Sequence, residues 1–69
     1  MNKEILLKNK IKEIRSKKNL SQEELAKLVG TTRQTIIAIE KGQFNPSAKL
    51  ALIICVALNS KFEELFWLE

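Results

Sequence analysis

Arg33, Gln34, Ile37, Ala38 and Lys41 would share one side of a helix, at steps of one, four and five. Arginine and glutamine make bidentate contacts to guanine and adenine edges in the major groove of DNA, and an apolar group can meet a thymine methyl. That face could read base pairs. The rest of the chain offers little competing chemistry. Histidine and aspartate are absent and Cys55 is the single cysteine, which leaves glutamates as the main candidates for acid–base or ligand duty. No Cys/His cluster, glycine-rich phosphate loop or nucleophile constellation occurs. Without a histidine base, Cys55 reads as a core thiol rather than a nucleophile. The expectation is a binding protein and not an enzyme, with no metal, no cofactor and no small-molecule ligand.

Holding such a face in place takes a scaffold, and residues 20–42, LSQEELAKLVGTTRQTIIAIEKG, supply one. Ser21 and Glu24 form a capping box at the start of one helix. Leu25, Ala26 and Val29 give that helix an apolar face. Gly30 ends it, because glycine takes the left-handed conformation at little cost. Thr31 and Thr32 offer a hydroxyl cap for a second helix, in which Ile36 and Ile39 face inward until Gly42 stops it. Ala26 is small where the two helices should come closest. The pattern is a helix-turn-helix at 21–41. The plain alternative is a buried αα-hairpin whose Arg-Gln pair is merely solvated.

Residues 20–47, LSQEELAKLVGTTRQTIIAIEKGQFNPS, resemble the lambda-repressor-like, or XRE, family of helix-turn-helix regulators. SQEELA, the turn glycine, TTRQTI, the IEKG close and the NPS loop follow in order without a gap. The likeness covers roughly residues 7 to 69 and is nearest to small stand-alone members whose end resembles EELFWLE. It implies an all-α, five-helix domain that binds operator DNA as a homodimer. Gln22 matches the family position that anchors the second helix to the DNA backbone. The loop Gln43-Phe44-Asn45-Pro46-Ser47 follows the backbone in relatives. Gln22, Thr32, Thr35, Lys41, Phe44 and Asn45 are therefore the expected backbone contacts, and Arg33, Gln34, Ile37 and Ala38 the expected base contacts. Phe44 reads more as a plug over the core than as a base-stacking group. The residues matching Arg15 and Glu40 are paired in lambdoid repressors. Glu40 also falls on the inward half of its helix, where an unpaired carboxylate would be costly.

Length and charge agree with one domain, 1–69. A chain of 69 residues with 45% hydrophobic residues can bury a small core. Residues 1–20 carry seven Lys/Arg against two Glu, residues 21–42 three of each sign, and residues 43–69 two Lys against three Glu. A basic segment beside a reading helix suits phosphate contact, although most such runs are solvated faces. No apolar run approaches the ~20 residues that span a bilayer, and no signal-peptide pattern opens the chain. A lone cysteine fits a reducing cytoplasm.

In the flanks, residues 1–6 carry little signal. Asn9 is the expected cap of a first helix defined by Ile11, Ile14 and Lys18, which Asn19 ends in a left-handed conformation. Pro46 disfavours the α conformation at Asn45, and Ser47 caps a fourth helix. In it Ala51, Ile54, Cys55 and Leu58 make the core stripe, leaving Leu52, Ile53 and Val56 in excess. A helix that is apolar all round should be covered all round, and in a short chain the second cover is another subunit; the alternative is that isolated aliphatics are simply exposed. Ser60 and Glu63 form another capping-box pattern, one residue earlier than in relatives, which place a serine where this chain has Lys61. Phe62, Leu65 and Phe66 point inward.

The two chain ends, Leu6-Leu7-Lys8 and Phe66-Trp67-Leu68, are apolar and outside the helices. They are expected to pair as a small two-stranded antiparallel sheet, as in close relatives, because each would otherwise leave its backbone groups unpartnered. With Ile53 and Val56, the residues Phe66, Trp67 and Leu68 form the expected two-fold dimer patch. The expected function is a homodimeric, sequence-specific regulator, a repressor, acting on a two-fold symmetric operator. The alternatives are an antitoxin-type regulator whose C-terminal surface also binds a protein partner, and an interaction module with no DNA role.

Overall fold

The computed structural model describes residues 5–69. Its element order is β1 (Leu7–Asn9), α1 (Ile11–Lys17), α2 (Gln22–Val29), α3 (Arg33–Glu40), α4 (Ala48–Ala57), α5 (Phe62–Leu65) and β2 (Phe66–Leu68). Residues 1–4, where little signal was expected, lie outside the described range. The described residues form five helices, closed by a two-stranded sheet of β1 and β2, as expected.

That sheet is antiparallel, with Leu7 opposite Leu68, Lys8 opposite Trp67 and Asn9 opposite Phe66. A further pair of backbone bonds, Leu6 N–H to the Glu69 carbonyl (3.0 Å) and Glu69 N–H to the Leu6 carbonyl (2.9 Å), extends the ladder outward. Pairing thus begins at Leu6 as expected, and β1 runs one residue past its expected end at Lys8. Asn9 explains the extension. Its backbone stays extended in the strand, so the cap position of α1 falls to Lys10, which makes no side-chain cap bond. The Asn9 side chain still serves the helix start, because its Oδ1 accepts from the Ile11 N–H at 3.1 Å.

One core holds the helices together. Ile11 of α1, Leu25, Ala26 and Val29 of α2, Ile36 and Ile39 of α3, and Ala51, Ile54 and Cys55 of α4 are buried together with Leu58, Leu65 and Phe66. The turns follow the local chemistry. Gly30 and Gly42 adopt φ of +79° and +76° at the ends of α2 and α3, and Asn19 and Asn59 take the same region after α1 and α4. Ser47 caps α4, accepting from the Leu50 N–H at 3.1 Å.

Helix α5 corrects the reading of its start. The cap is Lys61, not Ser60. Glu64 reaches back to the Lys61 N–H (3.1 Å), which is the half of a capping box that needs no acceptor on the cap residue. The Ser60 hydroxyl instead donates to the Leu58 carbonyl at 3.1 Å. Phe66 corrects a second expectation. It is only 2% exposed and stacks on Phe62 with ring centroids 5.2 Å apart, so it fills its own chain's core and is not available to a dimer patch. Burial pushes the Cys55 thiol above its usual range, and nearby Glu63 adds to the shift, which keeps the thiol protonated and unreactive.

Candidate nucleic-acid interface

The start of α3 is built by its cap. Thr32 is extended, and its hydroxyl oxygen accepts from the Thr35 N–H at 3.1 Å and lies 2.9 Å from the Thr35 hydroxyl. The helix is pinned on its inner side by Ile36 and Ile39, both essentially fully buried. That rotation leaves Arg33 and Gln34 exposed in the first turn, with Ile37 and Ala38 half-buried one turn on and Lys41 exposed at the far end. The helix closes with the Gly42 N–H bonded to the Ile39 carbonyl (3.0 Å) and the Gln43 N–H to the Ala38 carbonyl (2.9 Å). The outer face is therefore presented by a helix fixed at both ends.

The loop after α3 places Asn45 at the surface. Phe44 is 50% exposed and does not plug the core. Past the left-handed Gly42 the chain turns outward, and the loop touches the body through the half-buried Pro46 instead.

Helix α2 begins with the expected capping box: Glu24 N–H to Ser21 Oγ at 3.0 Å, and Ser21 N–H to Glu24 Oε1 at 2.8 Å. Gln22 is its first residue. Its Nε2 donates to Glu40 Oε1 at 3.0 Å, so part of the amide is held inside the protein. Its second N–H and its carbonyl oxygen are not used by that bond. Glu40 is also the partner of Arg15, whose Nε donates to Oε2 at 2.8 Å and Nη2 to Oε1 at 3.3 Å. The Arg15 Nη1 donates to the Leu20 carbonyl at 2.9 Å. The two side chains are 10% and 5% exposed, so this is a buried, two-pronged ion pair between α1 and the end of α3.

Two contacts were not legible in the sequence. One is the Gln22–Glu40 bond. The other runs from Asn9 Nδ2 to the Ile39 carbonyl (2.9 Å), which ties β1 to the end of α3. Both join residues far apart in the chain, and neither residue type demands the partner it has.

The surface expected to meet a second subunit is only partly contiguous. Val56 is 80% and Leu52 56% exposed on α4, with Ile53 half-buried between them, and Lys49 completes that groove. Leu52 also borders a second apolar groove with Leu7, Pro46, Ala48, Ala51 and Phe62, and Leu7 pairs with the exposed Leu68. Trp67 lies elsewhere. Strand alternation turns it to the face opposite Phe66 and Leu68. There it borders a cleft with Lys10, Ile14, Lys17, Glu63 and Glu64, the Lys10 ammonium standing 5.9 Å from the ring centre. No helix among the described residues is long and apolar enough to cross a membrane, and no group of His, Cys, Asp or Glu among them is arranged to hold a metal.

Comparison with known proteins fits this geometry. The model of the helix-turn-helix family HTH_3 matches residues 11–65. The uncharacterized HTH-type transcriptional regulator YgzD of Bacillus subtilis is 56% identical over 63 residues, spanning 91% of this chain and 96% of that protein. The uncharacterized HTH-type transcriptional regulator MJ0272 of Methanocaldococcus jannaschii is 53% identical over 60 residues, 87% of this chain and 91% of its own. Among solved structures, the restriction-modification controller protein C.AhdI from Aeromonas hydrophila superposes with a TM-score of 0.74 at 39% identity, covering 78% of this chain and 82% of that one. The chain belongs to the lambda-repressor-like (XRE-type) helix-turn-helix family and is a DNA-binding transcriptional regulator, a family of binding proteins and not of enzymes.

Proposed function

We propose that this chain, as a single domain over residues 1–69, is a cytoplasmic homodimeric repressor that reads a two-fold symmetric operator through α3. The observation that carries this is the first turn of α3, where Arg33 and Gln34 stand exposed on a helix locked by its cap and its inner isoleucines. Both side chains suit bidentate contacts to purine edges, with Ile37 and Ala38 beside them for apolar contact. Gln22, Thr32 and Thr35, near the starts of α2 and α3, and Lys41, Phe44 and Asn45, at and after the end of α3, serve as backbone contacts. Those at the starts of α2 and α3 lie where backbone N–H groups and the helix dipole favour an anion. Repression then needs nothing beyond occupancy of the operator.

The dimer reading rests on α4. Val56, Leu52 and Ile53 form an apolar strip that runs on through Leu7 to Leu68, and an isologous contact across it would hide the exposed aliphatics. Such a dimer would place two copies of α3 about one DNA turn, ~34 Å, apart. Trp67 stands outside this strip, on the opposite face of β2. Selection of bound sequences from random duplex DNA tests the whole reading. The expected result is a consensus with two-fold symmetry. A consensus without it removes the dimer, and no enrichment at all removes sequence-specific reading.

A further inference from the structure

Glu40 is the last residue of the reading helix, and its carboxylate takes three donors from outside that helix: Arg15 Nε, Arg15 Nη2 and Gln22 Nε2. The first two make the ion pair. The third has a different consequence. Gln22 opens α2 and has three torsions, so an unrestrained side chain there would lose considerable freedom on gripping a phosphate. A carboxylate only accepts, so Glu40 fixes which end of the amide turns inward and leaves one N–H of Nε2 to spare. The amide is thereby registered to α3 itself and not only to α2.

We propose that Glu40 is a positioning residue for DNA affinity, acting through Gln22, so that the phosphate grip at the start of α2 and the base-reading helix are one hydrogen-bonded unit. This rests on the phosphate role of Gln22 in the function proposed above. Arg15 takes part by holding the carboxylate in place from α1, with its third bond to the Leu20 carbonyl fixing its own guanidinium.

The test is a binding cycle on a random-sequence duplex, since a backbone grip acts on any DNA. Replacing a buried ion pair by apolar residues of similar size is often tolerated, so Arg15→Met with Glu40→Leu keeps the fold while removing the acceptor of Gln22. Gln22→Ala should weaken binding of the parent about tenfold, the scale of one hydrogen bond to a charged group. The Arg15→Met/Glu40→Leu protein should bind about as weakly, and Gln22→Ala should then cost less than about twofold more. Glu40→Gln keeps a carbonyl acceptor for Gln22. It should melt lower yet bind within about threefold of the parent, a split between stability and affinity that a merely structural role would not produce. The proposal is overturned if Gln22→Ala costs the same factor in both backgrounds, or if the apolar pair leaves parental affinity intact. If Gln22→Ala does not weaken the parent, the phosphate role itself is wrong and the proposal goes with it. A parent that binds no duplex DNA overturns the functional reading as a whole.

Discussion

The two ends of this molecule solve opposite problems. At the α2–α3 end, polar groups are bound to one another before any DNA arrives: Ser21 with Glu24, Thr32 with Thr35, and Glu40 with Arg15 and Gln22. At the α4 end, apolar groups stand uncovered, Val56 and Leu52 above all. A groove in DNA is a charged, nearly rigid partner, so under the proposed function the first end would gain by fixing its geometry in advance. In the dimer proposed above, a second subunit offers apolar area, so the second end would gain by leaving area to bury. A polar network can be tested by its stability and an apolar strip by its assembly.

The largest effect is expected at the polar end. Arg15→Met alone leaves the Glu40 carboxylate buried without its cation, and removing one partner of a buried pair typically costs about 3–5 kcal/mol. Thermal unfolding measures this. A loss below about 1 kcal/mol, the range of surface pairs, would mean that water reaches the pair in solution. Val56→Lys should leave the monomer's melting nearly unchanged, because the residue is exposed in a single chain, but should weaken dimerisation at least about tenfold through a buried, unpaired charge. Sedimentation decides it: a folded variant that stays dimeric places the interface elsewhere.

Arg33→Ala comes next, with an expected loss of about 1–3 kcal/mol of discrimination at one base pair per half-site. Equal weakening on every sequence would make Arg33 a phosphate contact. Thr32→Ala removes the cap of α3 and should lower stability by about 1 kcal/mol. The smallest effect is expected for Phe44→Ala. Half exposed on a loop, it should change stability by less than about 0.5 kcal/mol. A large loss there would restore the plug that the sequence suggested.

What was legible followed local rules. The Ser21–Glu24 capping box, the left-handed glycines and the 3.6-residue spacing of Leu25, Ala26, Val29, Ile36 and Ile39 are set by near neighbours, so the helix-turn-helix could be read directly. The end of β1 and the start of α5 were each displaced by one residue. There a side chain, Asn9 or Glu64, does part of the capping from outside the cap position, and pattern alone does not reveal which residue keeps the extended backbone. Phe66 and Trp67 show a second limit. Both are aromatic and adjacent, and only the strand's alternation separates the core residue from the surface one. The Gln22–Glu40 bond lay beyond reach because a glutamine at a helix start has many possible partners.

The small sheet has a kinetic consequence. Its two strands bring Leu7 to Leu68, so closing it gathers nearly the whole chain into one loop for only a few backbone bonds. Loop closure of that length carries an entropy cost that short-range helical contacts avoid. The sheet should therefore open locally more often than α2 and α3, and amides there, such as those of Leu6 and Glu69, should exchange with deuterium sooner than amides in the buried helices. Because exposed Leu68 lies on this sheet, any partner that covers it should slow that exchange, making the chain ends a built-in reporter of assembly.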